Sequence, residues 1–171
     1  MKFLAGFIFA LVAIPLCVYF YFKLGMAPVA TAAVPWPFEM KLAHMALNAR
    51  VDKEAPKAAP FQATEADLQE GAHLYRQHCA PCHGLPDQPK TAMAAGMYPH
   101  VPQLFKGHGV TDDPAGETYW KVANGIRLTG MPAFDKSLSE KQMWEISLLL
   151  AGADKLPSSV TEVLRKPMPT D

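Results

Sequence analysis

Cysteine is scarce in this sequence: three among 171 residues, at Cys17, Cys79 and Cys82. Three cannot staple a small secreted domain, so a disulfide-framework protein is excluded. Nor is there an excess of one charge. Sixteen Lys+Arg balance 16 Asp+Glu, and no strongly basic surface advertises nucleic acid. Strand-like segments are missing as well, and 16 prolines with 11 glycines leave little room for a large regular sheet. What is plentiful is apolar side chain: 50% hydrophobic against 19% charged rules out general disorder. The length allows one ordinary domain plus a smaller element. Residues 1–60 hold 6 basic and 3 acidic side chains, so the rest of the chain, with 10 and 13, is mildly acidic.

Residues 3–22 carry no charged side chain and are bracketed by Lys2 and Lys23. A helix of that length reaches about 30 Å, the thickness of the hydrocarbon core, whereas signal-peptide cores run to roughly 7–15 residues. The favoured reading is a single transmembrane anchor over residues 1–24. A signal sequence stays open, because Pro15 interrupts the run and Ala30-Thr31-Ala32 offers an A-x-A cleavage site. Cys17 follows the bulky Leu16 and reads as a small apolar filler in lipid. Trp36, between Pro35 and Pro37, suits the interfacial belt where indole rings sit.

Residues 25–63 read as an interfacial helix and a linker. Phe38, Leu42, Met45 and Ala49 fall on one face of a helix over 38–50, which lies on a membrane surface or docks on a partner. Pro56 and Pro60 among charges mark 51–60 as linker. The globular part starts near Phe61. Thr64 with Asp67 three later caps a helix over 65–77. Asp113 before Pro114 opens a second helix that stops at Asn124-Gly125. Ser137 with Glu140 opens a third through Met143, Trp144 and Leu149, ending at Gly152. Between the first two lies a long proline- and glycine-rich loop over 83–110, and so long a loop implies something that fills the space it encloses. Residues after Leu156 read as a polar tail.

The chemistry concentrates at Cys79-Ala80-Pro81-Cys82-His83. C-x-x-C-H is the attachment signature of a c-type haem. Two thiols at this spacing can form thioethers to the two vinyl groups along one porphyrin edge, and the next residue brings an imidazole under the iron. A thiol–disulfide oxidoreductase shares the C-x-P-C pattern but needs a strand before it and a βαβ frame, where this sequence has a helix. A zinc site would need a second ligand cluster, and there is no second C-x-x-C.

A sixth iron ligand has nine methionines to come from. Met93 and Met97 come soon after His83, too near to swing to the opposite face. Met143 sits inside a helix and Met168 in the tail. Met131 leaves a helix on the loop Gly130-Met131-Pro132, where Gly130 permits close approach and Pro132 stiffens the chain beyond it. It is the favoured ligand, with a gap-filling role as its alternative. His73, His78, His100 and His108 could ligate instead, although a solvent-facing histidine is the commoner explanation for each.

Residues 64–152 resemble a class I c-type cytochrome of the membrane-anchored bacterial type. The motif at Cys79 to His83 carries the likeness, followed by the Met131-Pro132 loop. Gly71 and Tyr75 fall where that family crosses its first and last helices, and Trp144 where the last helix supplies an aromatic. Pro102-Gln103-Leu104 resembles the family's Gly-Pro-x-Leu, with Val101 in place of the glycine. In that motif the proline carbonyl accepts a bond from the proximal histidine, and a metal-bound histidine needs such an acceptor.

The resemblance implies an all-α fold: a cytochrome c-like haem domain of three to four helices over 64–153, behind one N-terminal transmembrane helix and before a tail over 154–171. It implies one covalently bound haem c held by Cys79, Cys82, His83, Met131, Pro102 and Leu104, with His83 and Met131 on the iron. Tyr98, Leu104, Phe105 and Phe134 would exclude water from it. The implied role is a periplasmic electron carrier, not an enzyme, tethered to the bacterial inner membrane. Its donor would be a quinol-oxidising complex or dehydrogenase and its acceptor a terminal oxidase or reductase. A subunit fixed within a larger membrane oxidoreductase complex is the alternative, and a haem sensor or enzyme with a labile sixth position is the third.

Overall fold

The computed structural model describes residues 2–105 and 113–167. Among them all regular structure is helical. The chain divides into two compact units, Met1–Glu39 and Met40–Asp171.

The first unit holds α1 (Lys2–Lys23), with Pro15 inside it and no buried residue. Among the described residues it is the one helix long and apolar enough to cross a membrane, a test that an N-terminal signal sequence also passes. After α1 the chain returns on itself. Trp36 donates its indole N–H to the Tyr21 hydroxyl at 3.1 Å and lies against Tyr21 and Phe22, ring centroids 5.7 and 6.0 Å away.

The second unit is built on α3 (Glu65–His78) and α7 (Glu140–Ala151), which cross each other. Thr64 and Asp67 form the expected reciprocal cap on α3. At the crossing, a Cβ on Gly71 would come within 2.5 Å of the Glu145 carbonyl oxygen. Only a residue without a side chain lets the two backbones approach so closely. Tyr75, Ile146 and Leu149 close around the contact with no exposed surface, each contributing about 1.5–3 kcal/mol by burial. Gly71→Ala is expected to cost about 2–3 kcal/mol through forced backbone separation. Its urea midpoint should fall while the slope stays that of the parent. A midpoint equal to the parent's would mean the crossing is not tight.

Around this pair lie α4 (Ala80–His83), α5 (Ala92–Ala95), α6 (Ala115–Asn124) and α8 (Ser158–Arg165). On α6, Tyr119 stacks on Trp144 of α7, centroids 4.2 Å apart and planes 14° from parallel. The buried Glu145 carboxylate is paired with Lys141, which also reaches Asp67 on α3 at 2.6 Å.

Four expectations change. The cap of α7 is Ser139 with Gln142, two residues beyond the expected Ser137 and Glu140; Ser137 belongs to the preceding turn and donates to the Phe134 carbonyl. Pro114, not Asp113, takes the cap position of α6, and Asp113 instead pairs with Lys121 at 3.6 Å. The tail contains α8, whose Val160 and Leu164 are buried against α3, and Arg76 of α3 donates to the carbonyls of Lys166 and Pro167. The segment over 51–60 does not behave as a free linker. Helix α2 (Glu39–Glu54) runs into it, Val51 and Ala55 are buried, and a Cβ on Gly116 of α6 would come within 1.8 Å of the Pro56 carbonyl oxygen.

Candidate haem-attachment site

The attachment motif occupies the junction of α3 and α4. Cys79 ends α3, its N–H donating to the Tyr75 carbonyl, and its own carbonyl accepts from the N–H groups of Cys82 and His83 at 3.1 and 2.8 Å. One helical turn thus brings both cysteines and His83 round to the same end of α3. Gly84 leaves the turn, and the Tyr75 hydroxyl donates to its carbonyl at 2.8 Å. Both thiols are free. Burial pushes the Cys79 thiol up to about 12, with the neighbouring Cys82 adding to the effect. This is opposite to the shift toward thiolate that a thiol-exchange nucleophile needs.

His83 Nδ1 lies 2.9 Å from the Pro102 carbonyl oxygen. A carbonyl cannot donate, so Nδ1 carries the proton and Nε2 is the nitrogen with a free lone pair. Burial holds the His83 imidazole below its ordinary pKa, against the opposing pull of the Pro102 carbonyl, and so favours the neutral ring that a metal requires. Val101 in place of a glycine does not prevent this contact. The loop is also fixed further along. The Thr91 hydroxyl donates to the Pro81 carbonyl at 2.6 Å and accepts from the Ala94 N–H at 3.1 Å, which ties α5 back onto the motif. Met93 is held there as well, its sulfur 3.5 Å from Cys82 Sγ.

Gly125 organises the opposite loop. It ends α6 at φ +65°, and a Cβ there would strike the backbone of Met131, Pro132 and Ala133 at 2.9 Å or less. A glycine is required on both counts. The chain then closes on itself: the Ile126 N–H donates to the Met131 carbonyl at 3.2 Å, and the Phe134 N–H to the Val122 carbonyl at 3.0 Å. The Met131 N–H is held by the Thr129 hydroxyl at 3.1 Å. Met131 itself is half-buried and packs against the core, as do Leu104, Phe105 and Phe134.

Met97 is the residue that sequence distance misplaces. Fourteen positions after His83, it reads as too near to reach the far loop. The structure lays its methyl group over Gly130: a Cβ on that glycine would come within 1.9 Å of Met97 Cε. The small residue at 130 thus admits a methionine side chain. The signal that could have found it is the Thr91 hydroxyl, which turns the loop back. Of the other histidines, His73 and His100 are exposed, His78 is half-buried edge-on to Phe134, and His108 lies outside the described residues, as does Met168.

The residues present fit a covalent haem. Two free thiols stand at attachment spacing, an imidazole offers the correct nitrogen, and apolar side chains surround them. Gln103, next to Pro102, has both amide atoms buried without a partner, close to Gly84. A buried amide in that condition is a donor and an acceptor open to a group or a water that enters the site.

Residues 66–148 constitute a c-type cytochrome domain. In particular they match the family model described as cytochrome c oxidase, cbb3-type, subunit III, over just under half of the chain. Such a domain binds haem c and carries electrons without itself being catalytic. No curated protein matches. Among solved structures, a chain of the reducing HAO-like protein complex of Kuenenia stuttgartiensis is similar at 20% identity with a TM-score of 0.48, over 57% of this chain and 48% of that one. This chain thus spans about half the length of that neighbour.

Proposed function

We propose that the protein is a membrane-tethered carrier of single electrons, with one haem c ligated by His83 and Met131 and its haem domain on the periplasmic side of the bacterial inner membrane. The observation that carries this reading is the contact between His83 Nδ1 and the Pro102 carbonyl at 2.9 Å, beside two free thiols at attachment spacing. Haem c supplies a one-electron ferric–ferrous couple when it is attached. The chain's own residues do the rest. Cys79 and Cys82 fix the group to the end of α3, and Pro102 sets the tautomer and orientation of His83. Met131 favours the ferrous state relative to a histidine in that place. Leu104, Phe105 and Phe134 keep water away, which further disfavours the extra charge of the ferric state. His83 and Met131 would both hold the iron, and the chemistry left to the group would be the transfer of single electrons. The tether of α1 replaces diffusion in solution with a high local concentration at the membrane. The partners this serves are a quinol-oxidising complex or dehydrogenase as donor and a terminal oxidase or reductase as acceptor.

A second reading is favoured by one finding, the family description, which names a subunit of an oxidase. Purification in mild detergent separates the two: a lone monomer for the carrier, stoichiometric co-purification for the subunit. The primary test is the absorption spectrum of the reduced protein matured by a haem-attachment system. A low-spin c-type spectrum with no change under carbon monoxide is expected. A high-spin spectrum that responds to carbon monoxide would reject the carrier and favour the sensor or enzyme.

A further inference from the structure

Helix α2 has two apolar stripes on opposite sides. Leu47, Val51 and Ala55 recur on one side, and Val51 and Ala55 are buried in the second unit. The helix is anchored there by more than burial. Trp120 of α6 donates its indole N–H to the Glu54 carboxylate at 3.2 Å, and Arg50 holds the other oxygen of that carboxylate at 2.7 Å. Pro56 then seats its backbone on Gly116. The C-terminal half of α2 is therefore part of the haem domain. The other stripe, Phe38, Leu42 and Met45, is bare, with 67%, 57% and 61% of each residue exposed. Apart from the membrane helix and the stretch after it, Met93 and Leu128 are the other large apolar side chains among the described residues that are so exposed.

The cover for the bare stripe is indicated by the chain just before it. Trp36 rests on Tyr21 and Phe22, in the last turn of α1. If α1 spans the bilayer, that turn lies at the membrane–water boundary, where indole and phenol rings settle. Only Pro37 and Phe38 separate Trp36 from the first residue of α2, and the three residue steps between them reach at most about 11 Å. The helix therefore begins at the boundary, with its apolar stripe unoccupied. Lys41, three residues after Phe38, lies along one edge of the stripe. Lysine stems can lie along lipid while their ammonium groups stay with the headgroups.

We propose that the first half of α2 lies in the membrane surface with Phe38, Leu42 and Met45 in the headgroup–acyl boundary. An amphipathic helix of this kind binds through its buried apolar area plus attraction to anionic lipid. The inference rests on the tether reading of α1.

The experiment uses the full-length holoprotein in vesicles of phosphatidylcholine and phosphatidylglycerol. Cys17→Ser removes the one thiol outside the haem attachment, and nitroxide labels are placed singly at Leu42→Cys and Asn48→Cys. Retention of residues 1–23 is checked by intact mass, and membrane insertion by resistance to alkaline extraction. The label at 42 should show an oxygen-to-nickel accessibility ratio several-fold above that at 48, which lines a polar cleft with Asp113, Glu117 and Lys121. Equal, water-like ratios on an inserted chain would overturn the surface placement of α2 and leave the tether standing. A chain lacking residues 1–23 and found in the soluble fraction would overturn both. Protection at 42 that rises with protein density rather than with lipid would mean a second copy covers the stripe, and would also overturn the proposal.

Discussion

Cys79→Ala with Cys82→Ala is expected to abolish the holoprotein. In the parent, haem should stay with the polypeptide through acid–acetone extraction and denaturing electrophoresis, because both thiols form thioethers. In the double variant any haem present should extract fully, and most of the chain should be recovered unfolded. The physical reason lies in the loop after His83. Over residues 84–105 the regular structure is one four-residue turn, α5, and Leu104, Phe105 and Phe134 are partly buried against the core. A domain of this size has little stability in reserve, so losing the group that completes its core should remove the native far-ultraviolet signal at 37 °C. Cys82→Ala alone, with Cys79 still attached at the buried end of the turn, should retain haem through one thioether and a weakened fold. Release of haem into acetone by the parent would end this reading.

The parts legible in the sequence are those whose physics is local. A five-residue attachment motif, a cap such as Thr64 with Asp67, and a glycine stop such as Gly125 are each complete within a few residues. The crossing of α3 and α7 at Gly71 is legible only through the resemblance to c-type cytochromes, because nothing local to a glycine says which distant helix will approach it. The rest depends on distant partners. The sequence "SLSEKQ" holds two overlapping capping boxes, and only the turn that ties Ser137 and Leu138 to the Phe134 carbonyl decides between them. In α8 the buried face amounts to Val160 and Leu164 in an eight-residue helix, too short for periodicity to stand out from a polar tail. In α2 the stripe that periodicity picks out, Phe38, Leu42 and Met45, is the exposed one. The buried stripe on the opposite side runs into a segment whose prolines mark it, by composition alone, as linker.

Met131→Ala should produce the largest change in function. The oxidised parent should show the weak sulfur-to-iron charge-transfer band in the far red, and the variant should lose it. The variant should also bind carbon monoxide when reduced, and its potential should fall by a sizeable part of the roughly 0.8 V that axial ligands command. Met131→His should remain six-coordinate yet lack the band and sit at a lower potential. The loop itself should survive both changes, since Gly125, the Ile126–Met131 backbone bond and the Thr129 hydroxyl hold it by main-chain contacts. Met143→Ala is the packing control. That side chain is 5% exposed within α7, and its loss should cost about 2–4 kcal/mol with the band intact. Met97→Ala is the sharper comparison, because its methyl lies over Gly130 and it is the second thioether beside the same loop. The band should persist in Met97→Ala. Should the band instead survive Met131→Ala and vanish in Met97→Ala, the ligand is Met97 and the two methionines exchange roles: Met131 then packs the loop, and the segment tied down by Thr91 carries the iron.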